Sequence, residues 1–255
     1  MLFLHGIPTN HLLWTDVIAG LDPGVRALAP DLTGFGLSDL PPDADLSPAG
    51  QARDLLDLLD HLEANRFTIV AHDYGALVAF ELLGRIPERI RGLVVANTSI
   101  RPGDWSGTWY SPFRVLRLPV VGEVGFKLAR RWMLRLAFKP FVAEWDRFGD
   151  ARLDAFWEPF ERGFDRTLLR LFRSERMDLD ATERWRRILT DYDGPLTLVW
   201  GVRDPAFRID RAHDIARLAP RSTLIELVRT NHFVPIDNPR VLARVIGRQI
   251  AGEGR

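Results

Sequence analysis

Hydrophobic positions along the chain alternate between short unbroken runs and longer stretches with helical spacing. Apolar, partly β-branched runs at 2–4, 26–30, 67–70, 90–96, 195–201 and 223–227 predict strands. Helical spacing follows Ser47-Pro48, where Leu55, Leu56, Leu58, Leu59 and Leu62 predict one buried face and Asp54, Asp57, Asp60 and Glu63 its solvated side. It returns after Gly75, at Leu77, Val78, Phe80, Leu82 and Leu83, and again over 209–218. Between residues 100 and 193 the strand-like runs pause. That stretch has helical periodicities and six of the eight tryptophans (Trp105, Trp109, Trp132, Trp145, Trp157 and Trp185), most of which are expected inside a helical layer.

A length of 255 residues suits one large α/β domain or a core with an inserted lid. Apolar residues make up 46%, enough for a sizeable core. The 34 basic side chains balance the 34 acidic ones, so net charge implies no general attraction to nucleic acid or to an anionic membrane. Lys127 and Lys139 are the only lysines, and the basic run Lys127, Arg130, Arg131, Arg135 reads as a solvated helix face. With no cysteine, disulfides, thiol nucleophiles and cysteine metal sites are excluded. The apolar opening is broken by His5-Gly6 and Pro8, too short for a signal peptide or a membrane span. The expectation is a cytoplasmic monomer or small homo-oligomer, with no metal, no cofactor, and neither nucleic acid nor membrane as partner.

Candidate chemistry concentrates at Ala71-His72-Asp73-Tyr74-Gly75, where a strand-like run passes into helical spacing. A strand that turns sharply into a helix can strain its central residue only if the positions two before and two after are small, as Ala71 and Gly75 are. Such a turn lifts Asp73 above the sheet, beside helix N–H groups that receive an anion. An N-capping aspartate in a plain βα turn has the same local sequence. Three further segments follow strand-like runs: His5-Gly6-Ile7-Pro8-Thr9, with Trp14 beyond it; Val202-Arg203-Asp204-Pro205; and Asn231-His232-Phe233. The glycine-rich loop from Asp31 to Asp39 reads as structural, with Asp31 as its turn anchor.

Together these segments resemble the α/β-hydrolase superfamily, in its branch with aspartate as the nucleophile. The resemblance implies a mostly parallel sheet flanked by helices, with residues 1–99 and 194–255 as hydrolase core and 100–193 as an inserted helical cap. The superfamily usually has a hairpin before the first strand, so either the start of the chain is misassigned or two edge strands are lacking; in the latter case the 26–30 strand would be an exposed edge. The resemblance further implies Asp73 as nucleophile, Asp204 as the acid and His232 as the base, in the chain order of this fold. The backbone N–H groups of Ile7 and Tyr74 would then form the oxyanion hole. Trp105, Trp109 and Tyr110 are the candidate pocket or leaving-group residues.

An aspartate nucleophile is already ionised at neutral pH, since its reference pKa is about 3.9. On a saturated carbon it forms an ordinary ester, which water activated by His232 then hydrolyses. The implied activity is haloalkane dehalogenase-like hydrolysis of small apolar substrates by water; epoxide hydrolysis is the alternative. Dehalogenases of this kind usually carry a donor at the position of Ile7 and tryptophan at that of Tyr74, so Tyr74 or the cap tryptophans would have to substitute. Epoxide hydrolases use cap tyrosines, and of Tyr74, Tyr110 and Tyr192 only Tyr110 lies plainly in the cap. The His-Asp-Tyr-Gly elbow is also similar to mesoderm-specific-transcript-like hydrolases. A non-catalytic small-ligand binder on the same fold is the alternative from another functional class.

Overall fold

Strand β2 (Phe67–His72) is buried at every residue and paired on both sides, which explains why its sequence is an unbroken apolar run rather than an alternating one. The computed structural model describes residues 1–101, 104–105, 115–174 and 179–252, with Leu179 described by its backbone only. In it, β1 (Leu2–Leu4), β2, β3 (Ile90–Ala96), β4 (Leu196–Gly201) and β5 (Thr223–Leu227) form one parallel sheet in that order. Side chains alternate across the sheet. Leu4, Ile69, Ala71, Leu93, Val95 and Leu198 enter one core, while Phe3, Val70, Val94, Ala96 and Val199 enter the other.

The first core is covered by α2 (Pro48–His61), α3 (Tyr74–Arg85) and, further along the chain, α9 (Ile209–Leu218). The second is covered by α1 (Thr15–Ala19) and α11 (Pro239–Ala251), the latter preceded by the short α10 (Val234–Asp237). Helix α2 starts where predicted, with the Ser47 hydroxyl accepting from the Gly50 N–H at 3.1 Å and proline at the first turn. Its buried face is narrower than the leucine spacing suggested: Leu55 and Leu59 are buried, but Leu58 is exposed.

The expected strand at 26–30 does not form. Its only ladder contact is an isolated bridge from Leu28 to Leu2, with two backbone hydrogen bonds to Met1 and Phe3. Pro30 has no N–H to extend the ladder, and no strand among the described residues pairs with its outer edge. The chain therefore runs to one side of β1 at Leu28 and returns on the other as β2. In open α/β sheets ligands bind at such a reversal, outside the carboxyl ends of the strands, here those of β1 and β2.

Between β3 and β4 lie α4 (Val121–Lys127), α5 (Arg131–Phe138), α6 (Trp145–Glu161, broken at Gly149), α7 (Phe164–Arg173) and α8 (Leu179–Asp191). Phe138, Phe148 and Phe156 pack on one another in this layer together with Leu134, Val142 and Leu153; Trp145 and Trp157, half-buried, pack against that cluster, whereas Trp132 is 59% exposed. Trp185 is buried, but on the hydrolase-like core: α8 packs against α3. There Glu81 of α3 accepts from Trp185 Nε1 at 2.9 Å and pairs with Arg85 and Arg184.

Glu81 thus satisfies a buried indole N–H and two guanidinium groups at once. Glu81→Ala leaves the indole donor unpaired, and the expected loss is about 2–3 kcal/mol. A lower urea midpoint at unchanged m-value checks it.

Candidate active site

Asp73 follows directly on β2 with φ 56° and ψ −125°, a conformation that costs of order 1–3 kcal/mol in a non-glycine residue. Its surroundings hold it there. The Asp73 N–H donates to the carbonyls of Ala96 and Asn97, each at 3.1 Å, and its own carbonyl accepts from the Thr98 hydroxyl at 2.8 Å. A methyl group on Gly75 would collide with the carbonyl oxygens of Leu4 and His5, and one on Gly6 would collide with the Asp73 side chain. Of the two small residues expected around the strained turn, Gly75 is therefore required by contact with β1 and the loop after it.

The sheet register explains which other residues arrive. His72 lies beside Ala96, Ala96 beside Val199 and Val199 beside Ile225, so the loops leaving β2, β3, β4 and β5 emerge at one edge. Oδ1 of Asp73 accepts from the Ile7 N–H at 2.8 Å. Its Oδ2 lies 3.6 Å from Nε2 of His232, and Nδ1 of His232 lies 2.8 Å from Oδ2 of Asp204. That contact assigns the ring proton to Nδ1 and leaves the Nε2 lone pair facing Asp73. All three side chains are at least nine-tenths buried.

Burial raises the Asp73 carboxyl to a pKa of about 6, against the opposing pull of His232 and of the Tyr74 and Ile7 N–H groups. For His232, burial works against the charged form, but Asp204, through charge and hydrogen bond, and then Asp73 outweigh it and raise the imidazole above its usual value.

A family model described as the alpha/beta hydrolase fold matches residues 1–239. This chain belongs to the α/β-hydrolase family. It is 30% identical to haloalkane dehalogenase 2 of Mycobacterium bovis, over 97% of this chain and 87% of that protein. It is 25% identical to epoxide hydrolase 1 of Caenorhabditis elegans, over 95% of this chain and 62% of that protein. Among solved structures, haloalkane dehalogenase DbeA from Bradyrhizobium elkani superposes with a TM-score of 0.83 at 27% identity, over 98% of this chain and 89% of that one.

Within this α/β-hydrolase chain, Asp73, Asp204, His232, Ile7 and Tyr74 converge on one site. The Tyr74 side chain does not contribute a free donor there: it is fully buried and its hydroxyl donates to the Leu46 carbonyl. Trp105 stands 6.2 Å from the Tyr74 ring and 4.9 Å from that of Phe207, and its Nε1 donates to the Ser99 carbonyl at 2.8 Å. Neither therefore offers an unused hydrogen there. The predicted pocket residues Trp109 and Tyr110 lie outside the described residues.

Four supporting residues escaped sequence reasoning. Asn97 donates to Oδ2 of Asp204 at 2.6 Å and accepts from the Gly201 N–H at 2.9 Å, fixing the acid. Thr98 holds the Asp73 carbonyl. His72, held neutral by burial and by the neighbouring His232, donates from Nε2 to the His232 carbonyl at 3.0 Å. Asp237 accepts from the N–H groups of Asn231 and Ala143, while the N–H groups of His232 and Phe233 both donate to the Phe141 carbonyl. The loop carrying His232 is thereby tied to the helical insertion. A legible signal existed for two of them: Asn97-Thr98-Ser99 is a polar triplet that closes an apolar strand, and all three are buried.

A raised carboxyl pKa means that folding favours the protonated acid, so stability falls as pH rises from about 4 towards 6 and the penalty persists above it. Asp73→Asn is expected to raise Tm at pH 7.5, by at most about 3 kcal/mol of stability, and to give no gain below pH of about 4. Thermal melts across that range check the sign.

Proposed function

We propose that this protein is a hydrolase that works through an alkyl ester on Asp73, acting on small apolar substrates in the manner of haloalkane dehalogenases. The reading rests on one observation above all: one Asp73 oxygen is bound by a backbone N–H while the other faces the Nε2 of a histidine backed by Asp204. Oδ2 attacks the saturated carbon, a C–O bond forms, and the carbon–halogen bond breaks with its electron pair leaving as halide. The ester carbonyl is then Oδ1, already in the hole formed by the Ile7 and Tyr74 N–H groups. Water gives a proton to His232 Nε2 as its oxygen adds to Cγ. Collapse of the tetrahedral anion expels the alkoxide, which takes the proton from His232 and leaves as the alcohol; the second water-derived proton, left on the Asp73 carboxyl, is lost to solvent and restores the carboxylate.

The helices between β3 and β4 serve as the cap in this reading, with Trp105 and Phe207 as pocket wall. A passive binder would have no use for the buried His232–Asp204 pair. Epoxide hydrolysis remains as a second reading because the Tyr74 and Trp105 donors, which a departing halide would call on, are engaged by backbone carbonyls. It also has support in the 25% identity to an epoxide hydrolase.

His232→Gln blocks the second step alone, so intact-mass and peptide mass spectrometry after incubation with 1-bromobutane or an aliphatic epoxide should find the alkyl adduct on Asp73. An unmodified Asp73 with both substrates overturns the mechanism; the substrate that labels it, with halide or diol release by wild type, decides between the readings. Formation of the adduct should also weaken as pH drops through about 6, because protonated Asp73 is no nucleophile. Single-turnover labelling in His232→Gln against pH reads this, with the midpoint moved above about 6 because the imidazole that pulls the carboxyl down is gone.

A further inference from the structure

Among the described residues, nine of the thirteen exposed large apolar side chains lie between positions 115 and 136. On α4, Val121 and Val124 share an outward face that Leu128 continues just beyond it, while the inner side packs on α7. On α5, Trp132, Met133 and Leu136 point outward at 59%, 41% and 59% exposure, opposite the buried Leu134 and Phe138. A helix that is apolar on both sides belongs inside a protein or against something.

The charges around this face are unbalanced. Arg131 pairs with Asp154 and Asp150, Arg135 reaches Asp150 at 3.9 Å, and Arg173 takes Glu123. Lys127, Arg130 and Lys139 are exposed and have no acidic partner among the described residues. Both lysines of the chain are thus here, beside the apolar face. Basic side chains bordering exposed tryptophan, leucine and valine are the composition of a helix that lies in a membrane interface. A second copy of the same face would bring like charges together, which disfavours self-association.

We propose that α4 and α5 dock this protein on the surface of an anionic phospholipid bilayer, lying on it rather than spanning it. No helix among the described residues is long and apolar enough to cross a membrane. The inner side of the same element reaches the candidate site: Phe138 stacks on Phe233, the neighbour of His232, with ring centroids 5.1 Å apart. Docking there would hold the site close to the phase in which apolar substrates accumulate. The proposal does not rest on the chemistry at Asp73 and stands or falls apart from it.

The test is co-sedimentation with phosphatidylcholine vesicles, with and without phosphatidylglycerol. Wild type should bind only the anionic vesicles, and less as salt rises. Lys127→Glu with Arg130→Glu should cut the partition coefficient at least about tenfold, as each basic group near an anionic surface contributes on the order of 1 kcal/mol. Trp132→Asp with Leu136→Asp should also abolish binding, while circular dichroism and Tm, which exposed positions barely affect, report an intact fold. No binding by wild type, equal binding to neutral vesicles, or undiminished binding by either double variant overturns the proposal. So does a dimer in sedimentation velocity that Trp132→Asp/Leu136→Asp dissolves while vesicles stay unbound, since the face would then belong to a second copy.

Discussion

The backbone of Asp73 sits at a positive φ because β2 must turn into α3 without room to relax. Gly75 lies against the carbonyls of Leu4 and His5, and the Asp73 N–H is held by the chain leaving β3. Strain of this kind persists only where several independent contacts over-determine it. Here they come from β1, from β3 and from the helix that follows, so the sheet itself supplies the restraint. The same turn brings the carboxylate next to the Ile7 N–H and takes it out of water, which is why its pKa rises to about 6. Position and reactivity of the carboxylate share one origin.

His232 is constrained from three directions. Asp204 and, behind it, Asn97 orient the ring; His72 takes hold of the main-chain carbonyl; and the Phe141 carbonyl receives the N–H groups of His232 and Phe233. The last contact comes from the insertion between β3 and β4. The imidazole is therefore seated on the sheet and fastened to the helices above it, so a movement of residues 140–143 would move the His232 ring. The buried Asp237, accepting from N–H groups on both sides of that junction, locks the arrangement.

Charge illustrates how a whole-chain average conceals local organisation. Thirty-four basic and thirty-four acidic groups cancel, yet they are not spread evenly: Asp104, Asp210 and Asp214, for example, cluster with Arg101 and Arg211. Among the described residues, Lys127, Arg130 and Lys139 around α4 and α5 have no acidic partner and stand beside exposed apolar side chains. The run of basic residues there reads as an ordinary solvated face until the exposure of Trp132 and Leu136 is known.

The apolar runs, the small residues flanking Asp73 and the chain order Asp73, Asp204, His232 were determined by sequence, because period and turn chemistry are local properties. So was the start of α2 at Ser47-Pro48. Only the tertiary structure decided the rest. Residues 26–30 have the composition of a strand but no partner on their outer side among the described residues, and pairing is not a local property. Tyr74 and Trp105 are donors by chemistry, and it took the fold to show that the Leu46 and Ser99 carbonyls already use them. Asn97, Thr98, His72 and Asp237 acquire their roles through partners distant in the chain, and no periodicity encodes such contacts. Which face of α5 meets the core and which meets solvent was likewise fixed by packing, since both faces are apolar in the sequence.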